Sequence, residues 1–441
     1  MRVLLATDQP FWECGGGAQQ RIACLWEALR HGLTPTEESP STLVYYLGDP
    51  QGVTASREDI GPVVTVRNES FPATPLPWTW IANWLGAANE REARTPSETK
   101  VAPRDGLSSS LTLGDYRWTW VEKHWNATLQ RFRPDIVILE YVTMTYLIDL
   151  ANGPQRERIV WAVDTHDCLS QRAAQFSAAG QKHWLQIDES EEIEALEPAD
   201  LVIAIQNSER DWFARRLTHP KVIATGHAPR RSGAVADGVT KSTVGELRSD
   251  TQVQPRKIRL GFLASNNFPN RHGIENWLRE VAPQLRDTSI IIGGSIGTFV
   301  AELLNSDDAL ASVKQVKQAV RCLGQIRDLA DFYSEIDVVI CPIELGTGLK
   351  IKLVEALVFH CPVLASPHAT DNGMGFDSGV IICGEPQEWA GQVHNLGASH
   401  ERLESLRGQA ARFALDSLQP EAVYSGLIRE LNDLVRQKGS R

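Results

Sequence analysis

The chain lacks most of the signatures that would place it in a class at once. Its seven cysteines, Cys14, Cys24, Cys168, Cys322, Cys341, Cys361 and Cys383, are odd in number and nowhere spaced C-x-x-C. That argues against a disulfide framework and a zinc cluster, and fits reduced thiols in the cytoplasm. No apolar run approaches the roughly 20 residues that a membrane span needs, and the opening run Met1–Ala6 meets Asp8 before it could serve as a secretory signal. Basic residues are in deficit, 44 Lys and Arg against 55 Asp and Glu, for a net charge of −11. A chain of that sign repels polyanions, so nucleic acid is not an expected partner and any anionic ligand must be held locally. No D-x-D metal motif occurs, and no short repeat period is visible.

What is present is an ordinary globular composition, 42% hydrophobic and 22% charged, in 441 residues. That length implies two domains, or at most three. Short β-branched runs alternate with helical patterns almost throughout, as in parallel βαβ sheets. Strands are expected at 2–7, 41–47, 61–67, 135–140, 158–163, 201–205 and 221–225, then at 257–264, 289–293, 319–323, 338–341, 362–366 and 379–383. The fold class expected is α/β, with two Rossmann-like doubly wound domains. The boundaries read 1–225, a polar linker 226–256, 257–415, and a C-terminal helical segment 416–441. Segment 86–114 reads as a long mobile loop. It is flanked by PWTWIANW (77–84) and RWTWVEKHW (117–125), and 11 of the 13 tryptophans fall in the first half. Indoles suit sugar faces or a membrane interface, and equally they fill cores; both readings stand.

Three constellations carry chemistry. After the first strand, Gly15-Gly16-Gly17 opens a helix, so backbone can approach a ligand and aim N–H groups at a phosphate. The spacing is neither G-x-G-x-x-G nor a P-loop, and tight packing would explain it as well. At the end of the fifth strand stands Asp164-Thr165-His166-Asp167, with Arg172 close behind. Ligands of open α/β sheets sit beyond the carboxyl ends of strands, so His166 and Asp167 can meet a substrate and are the candidate catalytic pair. The alternatives are backbone capping and a D-x-H metal pair; for the latter no second cluster completes a two-metal site. The strongest constellation is Gly346-Thr347-Gly348-Leu349-Lys350-Ile351-Lys352-Leu353-Val354-Glu355-Ala356-Leu357. A glycine turn opens a helix that can hold an anion, Lys350 and Lys352 add positive charge, and Glu355, about two helical turns in, can accept paired hydrogen bonds from a ribose diol.

Taken together, the glycine-rich first turn, the strand–loop–helix PxxxGTGLKIKLVEAL, and Cys361-Pro362-Val363-Leu364-Ala365-Ser366 resemble the GT-B glycosyltransferases of family 4. The likeness spans both halves and is most specific over 321–384. It implies two Rossmann-like domains facing a cleft, the acceptor on the first and a nucleotide-sugar on the second, with a C-terminal helix crossing back. By the same resemblance Glu355 is the ribose-binding Glu that ends an E-x7-E motif, whose first Glu is replaced here by Thr347. Gly15, Gly16 and Gly17 match the loop approaching the diphosphate, and His166 the histidine that contacts the donor hexose. Arg271 stands for one member of the family's basic pair, while Ser265, Asn266 and Asn267 hold no charge; Lys350 or Lys352 would supply the missing contact. The implied reaction is metal-independent transfer of a sugar with retention. It would use a nucleotide-sugar as co-substrate, no cofactor, and a glycan, lipid-linked or protein acceptor. The alternatives are a degenerate nucleotide-binding scaffold and a metal-dependent phosphoesterase. The expected location is cytoplasmic, with peripheral contact at the inner membrane face through the Trp clusters as an added expectation.

Overall fold

Apolar runs such as VLLAT, TLVYY and IVILE carry no polar alternation, and each is buried at every position, as strands covered on both faces by helices must be. The computed structural model describes residues 1–13, 16–33, 41–48, 60–66, 111–229, 257–306, 311–370 and 378–439. All thirteen runs expected to be extended are strands. In the first half these are β1 (Val3–Thr7), β2 (Thr42–Tyr46), β3 (Val63–Thr65), β4 (Ile136–Glu140), β5 (Val160–Asp164), β6 (Leu201–Ala204) and β7 (Lys221–Ala224). They form one sheet in the order β3-β2-β1-β4-β5-β6-β7, parallel at every pairing. The second half holds β8 (Ile258–Leu263), β9 (Thr288–Gly293), β10 (Val320–Gly324), β11 (Val338–Cys341), β12 (Val363–Ala365) and β13 (Val380–Ile382). Their order is β10-β9-β8-β11-β12-β13, again parallel.

Both orders run outward from the first strand and then reverse. The reversal leaves a crevice at the carboxyl ends of β1 and β4 in one sheet and of β8 and β11 in the other, where open α/β sheets take their ligands. The helices that matter below are α1 (Gly17–Leu33), α2 (Leu169–Ala178), α3 (Glu189–Leu196), α4 (Phe268–Glu280), α5 (Ile351–Val358) and α6 (Pro420–Gly439).

The chain divides into two compact units, Met1–Gly226 with Tyr424–Arg441, and His227–Val423. The second unit runs past residue 415, where the sequence reading ends it, because the helix His400–Ser417 packs on α5 and its Ala410 lies against Gly379. Within the first unit, α6 is tied down by Lys221–Glu430 (2.6 Å) and by Lys438, which donates to Asp200 and to the Ile159 carbonyl at 2.6 Å each. The expected loop at 86–114 lies outside the described residues up to 110; beyond it Leu111 bridges Leu185 and Leu113–Tyr116 form a short turn.

The tryptophans differ in burial. Trp26, Trp125 and Trp161 are almost fully buried core residues, whereas Trp118 stacks on Trp120 (6.3 Å between centroids, 24°) with Trp120 exposed at the surface. Trp78, Trp80 and Trp84 lie outside the described residues. No helix among the described residues is long and apolar enough to cross a membrane.

Candidate functional site

In the first unit the crevice is lined by ionisable groups buried together. Glu140 and Asp164 end β4 and β5 and are register partners, so two carboxylates with no exposure stand side by side. Each has its own compensation. Arg21, on the first turns of α1, forks onto Asp164 (Nε–Oδ2 2.8 Å, Nη2–Oδ1 2.6 Å) and donates Nη1 to the carbonyls of Thr225 (3.2 Å) and Gly226 (2.8 Å). Glu140 meets Nε2 of His166 through Oε2 at 2.5 Å; Asp164 is 3.5 Å from the same nitrogen. Burial first, and Asp164 next, push the Glu140 carboxyl up to about 7.

The turn that presents His166 is strained. His166 adopts φ +58°, and Tyr141, immediately after Glu140, adopts φ +71°, ψ 155°, a region nearly confined to glycine. The two rings stack at 4.1 Å and 7°, so the strain brings imidazole onto phenol. What over-determines the turn is the start of α2. The buried Glu192 of α3 accepts from the N–H groups of Leu169 (2.8 Å) and Ser170 (2.9 Å), capping α2 from outside the chain segment. Asp167 pairs with Arg172 at 2.8 Å.

The donor atoms of Glu140, Asp164 and His166 lie within 4.8 Å of one another, close enough for one ion to span. Both Asp164 oxygens carry the Arg21 fork, and a metal would have to share the space with a fixed guanidinium. The D-x-H pair is therefore half of a salt-bridged cluster.

In the second unit, β11 ends at Cys341 and the loop to α5 turns twice through positive φ, at Gly346 (+90°) and Gly348 (+76°). Lys350 folds back over it, its Nζ donating to the carbonyls of Gly346 (3.0 Å), Thr347 (3.2 Å) and Gly348 (2.9 Å). His368, after β12, shares the Gly346 carbonyl at 2.8 Å. Lys352 is half-buried, and desolvation lowers its pKa. It donates to Oδ1 of Asn270 (2.9 Å) beside the Phe262 ring. Asn270 in turn holds the Ser265 carbonyl (2.8 Å), and its N–H is capped by Asn267 (3.1 Å), so α4 and α5 are linked across the crevice of the second sheet. Gly273 allows this closeness: a Cβ there would stand 2.1 Å from the Pro342 carbonyl oxygen.

Glu355 is 5% exposed, one turn into α5 rather than two, because the helix begins only at Ile351. Leu349 is buried in the loop. Asn267 serves as the N-cap of α4, and Arg271 lies over the Phe299 ring at 5.9 Å. Gly16 and Gly17 open α1, with open space where a Gly16 Cβ would be, and Gly15 lies outside the described residues. Sequence reasoning missed Arg21, Glu140 and Tyr141. A Glu ending an otherwise apolar strand, level with the Asp ending its neighbour, was the available signal for Glu140; Arg21 gave none.

Residues 257–399 match the family model "Glycosyl transferases group 1". No curated protein matches the sequence. Among solved structures, the chain is similar to Anabaena Alr3699/HepE in complex with UDP, with TM-score 0.60, 14% identity, and coverage of 98% of this chain and 100% of that one. It is similar also to sucrose-phosphate synthase from Thermosynechococcus elongatus (0.59, 15%, 100% of both) and to a glycosyltransferase from Rickettsia africae (0.63, 10%, 99% and 98%). At these identities the likeness establishes the fold: two parallel α/β halves of the GT-B, Rossmann-like kind.

Proposed function

We propose that the chain is a glycosyltransferase that takes a nucleoside-diphosphate sugar as donor and passes the sugar to a glycan, lipid-linked or protein acceptor, in bacterial surface polysaccharide or glycoconjugate synthesis. The observation that carries this reading is the Gly346–Lys350 loop opening α5 with Glu355 one turn in, at the switch point of the second sheet and inside the segment that matches the glycosyl transferase family. The diphosphate is assigned to that helix N-terminus, where backbone dipoles meet the charge that develops as the sugar departs. Glu355 is assigned to the ribose hydroxyls, and His166 to a substrate oxygen in the first half. Support also comes from the UDP and UDP-glucose found with one structural relative.

Transfer proceeds with retention at the anomeric carbon and without a metal, so chelator leaves the rate within twofold. The test is incubation with a panel of UDP-, GDP- and ADP-sugars together with glycan and lipid-linked acceptors. Sugar transfer or slow donor hydrolysis from one nucleotide class is expected. Binding without turnover across the panel would favour a nucleotide-binding scaffold, a reading motivated by Thr347 at the family's first Glu position. Loss of activity with chelator would favour the phosphoesterase reading instead.

A further inference from the structure

The buried group of Arg21, Asp164, Glu140 and His166 holds one more acid than fixed base, and its charge depends on where protons sit. Arg21 and Asp164 cancel through their fork. The remaining pair is Glu140 with His166, joined at 2.5 Å. Glu140 has no exposure, and its Oε1 has no hydrogen-bond partner among the described residues, so His166 is the direct compensation for this carboxylate.

We infer that Glu140 is a positioning residue: it and His166 form one two-proton unit in which Glu140 fixes Nε2 of the imidazole, so that Nδ1–H is presented as donor to a substrate oxygen. The inference rests on the glycosyltransferase reading for the identity of that oxygen, a sugar hydroxyl. The argument is a count of protons. If the pair holds two, either as carboxylate with imidazolium or as carboxylic acid with neutral imidazole, the buried cluster is neutral. In both forms the second proton sits on Nδ1, whichever side of the 2.5 Å bond the first one occupies. If the pair releases one proton to water, the cluster carries a buried net negative charge, Nε2 keeps its hydrogen, and Nδ1 becomes an acceptor.

Burial therefore favours the donor form. The Tyr141 ring, parallel to the imidazole at 4.1 Å, fixes its plane. The groups that face the pair act in known senses. Asp164 on β5 favours retention of the proton and Arg21 on α1 favours its loss; Tyr424 on α6 acts on Arg21. Burial pushes the Glu140 carboxyl up, so the shared proton is held in the pair.

The test reads the ring directly, by 15N NMR of histidine-labelled full-length protein with the His166 signal assigned by its loss in His166→Asn. Nδ1 should carry its proton on the acid side of one titration midpoint and lose it above, leaving the Nε2–H tautomer. In Glu140→Gln that midpoint should fall by about one pH unit or more. A wild-type ring with no proton on Nδ1 on the acid side, or a midpoint that Glu140→Gln leaves in place, would overturn the inference. In transfer assays the basic limb of kcat/KM should move down with the same substitution, so that activity falls roughly tenfold on the basic side and the loss shrinks toward acid pH. A loss of equal size at every pH would reduce Glu140 to packing. The NMR arm needs no sugar donor, so absence of transfer with the expected titration would count against the glycosyltransferase reading and not against the dyad.

Discussion

The two sheets use the same strand order and build opposite kinds of crevice. In the first half, side chains from three elements meet one another and neutralise one another: the Arg21 fork, two register-paired carboxylates, and an imidazole stacked on a tyrosine. In the second, the chain meets itself. A glycine loop wraps its carbonyls round Lys350, and Asn270 bridges α4 to α5 through Lys352. The first crevice is charge-dense and its polarity is set by protons. The second is shaped by backbone, and its lysines are engaged by the chain's own oxygens. Cations seen in a motif thus need not be aimed at a ligand; Lys350 shapes the loop that an anion would meet.

The largest effect that distinguishes the halves should come from Arg21. Arg21→Met leaves Asp164 buried without its cation and should cost about 3–5 kcal/mol in urea denaturation, since breaking a buried pair strands one charge. Arg21→Met with Asp164→Leu should recover much of that loss. Equal costs for the single and double variants would show that the pair is not what holds the cluster. For the second half the corresponding break is steric. Gly273→Ala puts a methyl 2.1 Å from the Pro342 oxygen and should cost about 1–3 kcal/mol, while loosening the α5 loop. An unchanged midpoint would mean that α4 can withdraw freely.

The smallest effect is a slope. Glu140 binds its proton more tightly folded, at about 7, than unfolded, near 4.5, so its contribution to stability is full below that lower value and is lost as pH rises to about 7. His124 and His183, both lowered to about 4 by burial, act in the other sense: their contribution is present above about 6.5 and lost as pH falls toward 4. Glu140→Gln should therefore steepen the net loss of stability on acidification between about 7 and 4.5. A denaturation series across that range, identical for wild type and variant, would contradict the assignment.

Much of the fold was legible because both sheets are all-parallel and their inner strands are covered on both faces, so those strands are local apolar runs bounded by turns. The second crevice was legible for the same reason. Loop, lysines and Glu355 are contiguous in residues 346–357, and only the helix start and the lysines' partners needed coordinates. The first crevice was half legible. Asp164, His166 and Asp167 are neighbours in sequence, but Glu140 joins them through strand register and Arg21 from a helix position 143 residues before Asp164. Pairing at that range depends on topology, and no spacing rule encodes it. Tyr141 was illegible for a further reason: its strained backbone is imposed by the packing around it.

The central claim, that the α5 loop with Glu355 grips a nucleoside-diphosphate sugar, is tested most directly by thermal shift and calorimetry of the full chain with UDP, GDP, ADP and their sugars, wild type beside Glu355→Ala. The account predicts that one nucleotide class stabilises the wild type, by roughly 2.7 kcal/mol at a hundred times its Kd, and that the variant binds it at least about tenfold more weakly. No shift with any of these ligands, or affinity in Glu355→Ala within twofold of wild type, would contradict it.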